Sequence, residues 1–363
     1  MIDHLHFFFA TGVFWTTLIL SLVFAFGSTP QDKHLRNYNR AKYIMAFTYL
    51  LFTAFSVFII TGRLQELDIL SLKISILILF TFQLLLFTYI SLTLINYKYL
   101  SIRLLIYQLI PVIILCLLSI LSNLLNWGEK IVIILFYSLL LFFVLTLLIV
   151  TRFFFIHYRK YRKRVDNYFS EVGTDHLRWI HVSYLFLFIS GMAVIIISFT
   201  TLEIIIPFYI LAILFYTGYA VHFLNYKNIF YIMRPVLREE DEKPIKSSQI
   251  TFSQIEKAVE KWEQQKLFIN PKITIAKVAS HISTNKSYLS QYINNSKQKT
   301  FNEWINGLRI EEAKRLMTTN KNMTIEEVSE KVGYTDTSYF SKCFVKYTGI
   351  TAYKWKNNNP TQV

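Results

Sequence analysis

The 363-residue sequence predicts an all-α protein in two parts: a bundle of seven membrane-length helices, then a wholly helical domain holding two helix-turn-helix units. Three observations lead there. Seven apolar runs of spanning length follow one another up to Leu224. The Lys and Arg between them alternate in density from loop to loop. From Ile273 to Trp355 the pattern changes to short amphipathic helices with repeated cap signals. The division these imply is a bundle over residues 1–228, a polar linker over 229–250 and a second domain over 251–363.

Composition sets the frame. A hydrophobic share of 53%, a mean hydropathy of +0.38 and 32 Phe are too apolar for a chain surrounded by water. Two cysteines, Cys116 in an apolar run and Cys343 near the end, make neither a disulfide framework nor a metal site. Cys343 is expected to pack as a small apolar residue.

The apolar runs lie near Phe7–Phe26, Tyr43–Thr61, Ile69–Ile95, Leu104–Leu125, Ile131–Phe155, Trp179–Leu202 and Ile204–Leu224. Each reaches the ~20 residues that cross a hydrocarbon core of ~30 Å. The first does not read as a cleaved signal, because Asp3 precedes it, no Lys or Arg does, and the basic residues follow it. Periodicity does not separate lipid-facing from bundle-facing sides here.

Orientation follows from the loops. Lys33, Arg36, Arg40 and Lys42 follow the first run, Lys98 and Arg103 the third, and Arg152, Arg159, Lys160, Arg162, Lys163, Arg164 and Arg178 the fifth. The alternate loops carry Arg63 with Glu66 and Asp68, Glu129 with Lys130, and Glu203. The basic side is the cytoplasmic one, so the N-terminus falls outside and the C-terminal domain in the cytoplasm. The cluster Arg159–Arg164 reads as a juxtamembrane patch facing anionic lipid heads rather than as a nucleic-acid site. Trp127, Trp179 and several Tyr near run ends fit interfacial anchors.

Within the runs, Gln83, Gln108, Asn123, His181 and His222 are the polar residues, with Pro111 and Pro207 as kink positions. No paired carboxylates, no His/Glu cluster at metal spacing and no Ser/His/Asp arrangement emerge. Catalytic, cofactor and metal residues are therefore expected to be none. His222 reads as a packed or interfacial histidine rather than a ligand.

After the seventh run, Arg234-Pro235 opens a polar connector with Glu239-Glu240-Asp241-Glu242, Pro244 and Ser247-Ser248. If flexible, its ~15 residues span about 20 Å root-mean-square. A helix is expected from Thr251, with Gln254 completing its cap and Phe252, Ile255, Val259 and Trp262 on one face. That face fits packing onto the first helix-turn-helix unit better than a coiled-coil dimer contact, because fewer than three heptads rarely hold a dimer.

The first unit runs from Thr274 to Ile282, turns at Ser283-Thr284 and continues from Asn285 to Asn294. The second runs from Thr324 to Val332, turns at Gly333-Tyr334-Thr335 and continues from Asp336 to Tyr347. A helix over Thr300–Thr318 joins them, with Trp304, Leu308, Ala313, Leu316 and Met317 as its apolar stripe. Arg309, Glu311, Glu312, Lys314 and Arg315 form its polar surface. Thr300 with Glu303 and Thr324 with Glu327 fit the capping box. Thr284 and Thr335 are expected N-caps of the helices that follow.

Each second helix has two faces. Leu289, Tyr292 and Ile293 pack inward in one, and Phe340, Phe344 and Tyr347 in the other. Outward strips are Lys286, Ser287, Ser290 and Gln291, then Thr337, Ser338, Tyr339, Ser341 and Lys342. Small hydroxyls, Gln and Lys read base edges and grip phosphates. A joining helix of ~18 residues is about 27 Å long, near the ~34 Å repeat of successive major grooves on one face of DNA. Residues 239 to 363 carry 19 Lys/Arg against 14 Asp/Glu, so attraction for phosphate must come from placement rather than bulk charge.

The C-terminal stretch resembles the DNA-binding domain of the AraC/XylS family of bacterial transcription regulators. The likeness covers roughly Ile269 to Lys356 and rests on Leu289-Ser290 and Tyr292-Ile293. It rests further on Phe301-x-x-Trp304-Ile305-Asn306-x-Leu308-Arg309-Ile310-x-x-Ala313. The last segment is Gly333-Tyr334-x-x-x-Ser338-Tyr339-Phe340-Ser341-Lys342-x-Phe344-x-x-x-x-Gly349-Ile350-Thr351. Departures are Ser283 where the turn often has Gly, Ala352 where Pro usually follows, Ser329 where Ala is usual, and Lys354 and Lys356 where Arg is common. The resemblance implies that Lys286, Ser287, Ser290, Gln291, Thr337, Ser338, Tyr339 and Lys342 contact double-stranded DNA. It implies transcriptional regulation, contact with the transcription machinery and action as a homodimer.

Together these readings expect a regulator in the bacterial cytoplasmic membrane, its bundle sensing an unknown signal or membrane partner. A membrane transporter or enzyme with a fused regulatory DNA-binding domain is the alternative. A scaffold whose C-terminal helices bind protein is a second.

Overall fold

The computed structural model describes residues 2–29, 35–61, 69–95, 102–125, 127–171, 175–200, 205–238 and 252–358. The described residues form fourteen α-helices and one short 3₁₀ turn, with no strand among them. They divide into two compact units, Met1–Arg159 with Arg178–Leu237, and Lys160–Leu177 with Arg238–Val363.

Seven long helices fall on the seven apolar runs: α1 (Ile2–Phe26), α2 (Arg36–Ile60), α3 (Ile69–Ile95), α4 (Ile102–Leu124), α5 (Glu129–Tyr168), α6 (Asp175–Ile197) and α7 (Ile205–Arg238). Two run further than their apolar stretches. Helix α5 continues through the basic cluster to 40 residues because Tyr161, Val165 and Tyr168 keep a buried stripe at helical spacing. Helix α7 continues through the expected start of the linker because Tyr226, Phe230, Met233 and Val236 do the same. The rest of the connector, including Pro244 and Ser247-Ser248, lies outside the described residues, as do Thr251 and the loop residues Lys33, Arg63, Glu66, Asp68, Lys98 and Glu203.

Among the described residues, five stretches are long and apolar enough to cross a membrane: Phe7–Phe26, Ile69–Ile95, Leu105–Leu124, an apolar part of Glu129–Tyr168, and Arg178–Ile197. The expectation was seven. Helices α2 and α7 are not among the five found in the described residues.

Inside the first unit, α1 packs on α2, α2 on α3 and α3 on α4. Helix α3 is buried on every side from Gln83 to Ile95, which makes it the centre of the bundle. Aromatic side chains join the remaining helices. Tyr38 and Tyr49 of α2 donate hydroxyls to the carbonyls of Phe223 and Tyr216 on α7, at 3.1 and 2.9 Å. Phe154 of α5 stacks on Tyr184 of α6 with ring centroids 3.7 Å apart. Trp179 lies among Tyr219, His222 and Tyr226 of α7, so it anchors α6 to its neighbour, and the exposed His222 ring stacks on that indole. Helix α4 shows the opposite surface: Ile106, Ile110, Ile113, Ile114, Leu117 and Leu124 are all exposed.

The second unit contains α8 (Phe252–Gln264), the 3₁₀ turn (Leu267–Ile269), α9 (Ile275–His281), α10 (Lys286–Ser296), α11 (Phe301–Thr319), α12 (Ile325–Lys331), α13 (Thr337–Thr348) and α14 (Ala352–Asn358). The face of α8 with Ile255, Val259 and Trp262 is buried, and α8 packs on α10. Trp262 lies 5.3 Å from Trp304 of α11, whose indole N–H donates to Glu263 at 2.7 Å. The apolar face of α8 is thus buried within its own domain, as packing onto the first helix-turn-helix unit requires. Ile310, Ala313 and Met317 of α11 share a second core with Val328, Val332, Tyr334, Phe340 and Phe344. Cys343 is buried in it, and burial pushes its thiol above the ordinary range.

Candidate nucleic-acid interface

Both capping boxes form. Thr300 accepts from the Glu303 amide at 3.2 Å while the Glu303 carboxylate accepts from the Thr300 amide at 3.0 Å. Thr324 and Glu327 repeat the exchange at 3.1 and 2.8 Å. The caps of the two recognition helices differ from the expectation by one residue. Asn285, not Thr284, caps α10 by accepting from the Tyr288 amide at 2.9 Å. Asp336, not Thr335, caps α13 by accepting from the Ser338 and Tyr339 amides. An amide or carboxylate one position later reaches those donors better than the threonine hydroxyl, whose residue still belongs to the turn. Thr284 Oγ1 is left buried without a partner among the described residues.

The turns need left-handed backbone. Gly333 has φ +94°, and a Cβ there would stand 2.0 Å from the Ile269 carbonyl oxygen, so both conformation and space demand glycine. Ser283 occupies the matching position of the first unit with φ +58°.

The inward faces are buried as their spacing predicts: Leu289, Tyr292 and Ile293 in α10, Phe340 and Phe344 in α13. Tyr347 is half-buried and donates to the Glu303 carbonyl at 2.7 Å. On the outer strip of α10, Gln291 is exposed and Lys286, Ser287 and Ser290 are partly so, with Ser290 accepting from Asn294 at 3.3 Å. On that of α13, Ser338, Ser341 and Lys342 are exposed and Thr337 partly so. Tyr339 departs from the pattern. It is half-buried, its hydroxyl accepts from Asn302 of α11 at 3.1 Å, and burial raises its pKa well above the ordinary value, so the phenol stays neutral.

Helix α11 holds the residues that sequence reasoning missed. Arg309, expected on the polar surface from its spacing, is 0% exposed. Its guanidinium donates to the carbonyls of Phe268 and Asn270, each at 2.8 Å, pairs with Glu171 at 2.7 Å and lies 5.1 Å from the Tyr334 ring centroid. Asn306 is buried beside it and accepts from the Tyr334 hydroxyl at 2.6 Å. A helix wedged between two units has little outer surface, and simple amphipathic spacing does not show that. Nothing local in the sequence marks Glu171, 138 residues from its partner.

A family model described as a helix-turn-helix domain matches residues 278–358. The C-terminal domain is of the AraC type. Similar curated proteins are transcriptional regulators of Bacillus subtilis (strain 168) named YobQ and YesN. YobQ is 33% identical over 86 residues, 24% of this chain and 35% of that protein; YesN is 29% identical over 84 residues, 23% of each. Histidine kinase P4 of Formosa agariphila is 29% identical over 133 residues, 36% of this chain and 10% of that protein. The chain spans about a third or less of the length of these relatives. Their likeness is to a part, and the AraC-type domain is the part that the family model covers.

Proposed function

We propose that the chain is a membrane-embedded, sequence-specific DNA-binding regulator of transcription and not an enzyme. One observation carries the reading: two helix-turn-helix units present polar strips on α10 and α13 from a shared, buried connecting helix. Gln291, Ser338, Ser341 and Lys342 are exposed on cores closed behind them. Nineteen residues of α11 extend about 28 Å, the scale of successive major grooves. Lys286, Ser287, Ser290, Gln291, Thr337, Ser338 and Lys342 contact the duplex, and Tyr339 holds α13 against α11.

All seven long helices cross the bacterial cytoplasmic membrane, with the N-terminus outside and the AraC-type domain in the cytoplasm. Support for lipid around the first unit comes from α4, whose outward Ile and Leu side chains would otherwise leave a large apolar surface in water. The bundle acts as the sensor of a signal or membrane partner. The domain binds DNA as a homodimer and touches the transcription machinery.

The test is selection of duplexes from a random pool by the full chain in lipid nanodiscs, followed by footprinting. A defined protected sequence at moderate salt is expected; none would overturn the reading. Lys342→Ala should weaken binding to every sequence and lower the salt slope by about 1, whereas Gln291→Ala should relax preference at one position by about 1–3 kcal/mol. Equal losses on all sequences for both would refute that division of roles.

A further inference from the structure

Phe169, Ser170 and Glu171 follow directly on α5 and belong to the same compact unit as the AraC-type domain. These three residues touch all three parts of that domain. Phe169 forms an antiparallel bridge with Thr274, the cap of α9. The Ser170 amide and hydroxyl donate to the Ile273 carbonyl at 3.4 and 3.0 Å. The Ser170 carbonyl accepts from Asn302 and Asn306 of α11 at 2.8 and 3.0 Å. Glu171 completes the set, with one oxygen on Arg309 at 2.7 Å and the other accepting from the Thr335 hydroxyl at 2.8 Å, next to the cap of α13. Ser170 is fully buried, and the Arg309 and Glu171 side chains are 0% and 7% exposed.

We propose that Phe169–Glu171 is a built-in clamp that fixes the separation of the two recognition helices, so that binding across two grooves depends on the segment being docked. The inference rests on the DNA-reading function proposed above. Helix α11 sets the scale of that separation, and each helix-turn-helix unit packs on a different part of it. A segment bonded to the first unit at Ile273 and Thr274, to α11 at three positions and to the second unit at Thr335 closes the arrangement from the side. Its ion pair is buried, and each charge is the other's compensation, so the docked geometry is held at both ends or lost at both. The clamp leaves the strips on α10 and α13 uncovered, which makes docking a condition for reading DNA rather than a block to it. The segment follows directly on the last residue of α5, Tyr168.

The test uses the full chain in nanodiscs, a duplex selected by the wild type, and the same duplex with one groove's sequence scrambled. Glu171→Ala should lose ~10-fold or more in affinity for the intact duplex and little for the scrambled one, because linking two binding events is worth ~10²–10⁴. A second variant separates position from folding. Phe169→Cys with Thr274→Cys, in a chain whose Cys116 and Cys343 are replaced by Ala, places two thiols across an antiparallel bridge within disulfide reach. Carrying Glu171→Ala as well, its oxidised form should regain affinity for the intact duplex and its reduced form should not. Unchanged affinity in Glu171→Ala, or an oxidised form that binds no better than the reduced one, overturns the clamp. If the wild-type chain selects no duplex, the DNA-reading function falls, and the clamp with it.

Discussion

Truncating Arg309 to Ala tests the packing of the connecting helix most directly. On an exposed helix face such a change costs within about 0.5 kcal/mol. The structure places Arg309 at 0% exposure instead, bonded to two carbonyls and paired with Glu171. Removing it strands a carboxylate that is 7% exposed, and losing one partner of such a buried pair costs about 3–5 kcal/mol. The orphaned carbonyls of Phe268 and Asn270 add to the same event rather than as independent losses. Hydrogen exchange at the amides of Ile310 and Ala313 in the solubilised full chain reads this as opening free energy. Since 1.36 kcal/mol is tenfold, the Ala variant should exchange roughly 100-fold faster or more. Exchange within about twofold of the wild type would mean that the guanidinium is not the buried keystone described, and the reasoning would fail.

Three further outcomes are expected. Gly333→Ala forces a side chain onto a φ of +94° with its Cβ 2.0 Å from the Ile269 oxygen. It should cost about 1–3 kcal/mol in strain alone, seen as a lower melting temperature and weaker duplex binding. Ser329 is 0% exposed with a hydroxyl lacking a partner among the described residues, so Ser329→Ala should stabilise the domain by about 1 kcal/mol, checked by the same exchange measurement. The Thr300 amide holds the Glu303 carboxyl below its ordinary range, with Lys346 adding to it against partial burial. A depressed carboxyl contributes stability above its unfolded pKa, and that contribution disappears as pH falls through the folded value. Glu303→Gln should therefore be less stable than the wild type at pH 7 by melting and indistinguishable from it below the folded pKa.

Much of the second domain was legible because its signals are local. A capping box spans four residues, a turn three, and an inward stripe recurs at i, i+3 and i+4, so Thr300, Thr324, Leu289 and Phe340 are placed by sequence spacing alone. The misses share a physical cause. Thr284 and Asn285 are both acceptable caps, and the choice between them depends on the backbone of the turn, which a string of residue types does not contain. Tyr339 sits at outward spacing, yet its hydroxyl reaches Asn302 because α11 happens to lie within its length.

By itself, the amino-acid order determined the helical class, the seven apolar stretches, the loop charges, the two turn positions with Gly333 at one of them, and the AraC-type pattern. All of these depend on neighbours within a few turns of one chain. Only the tertiary structure decided that α3 is central while α4 faces outward, because both are apolar throughout and periodicity says nothing about them. It alone decided that Arg309 is interior and that its counter-ion, Glu171, comes from the segment just after α5. A buried charge is tolerated wherever any segment can bring an opposite one to 2.7 Å, and that segment lies 138 residues away.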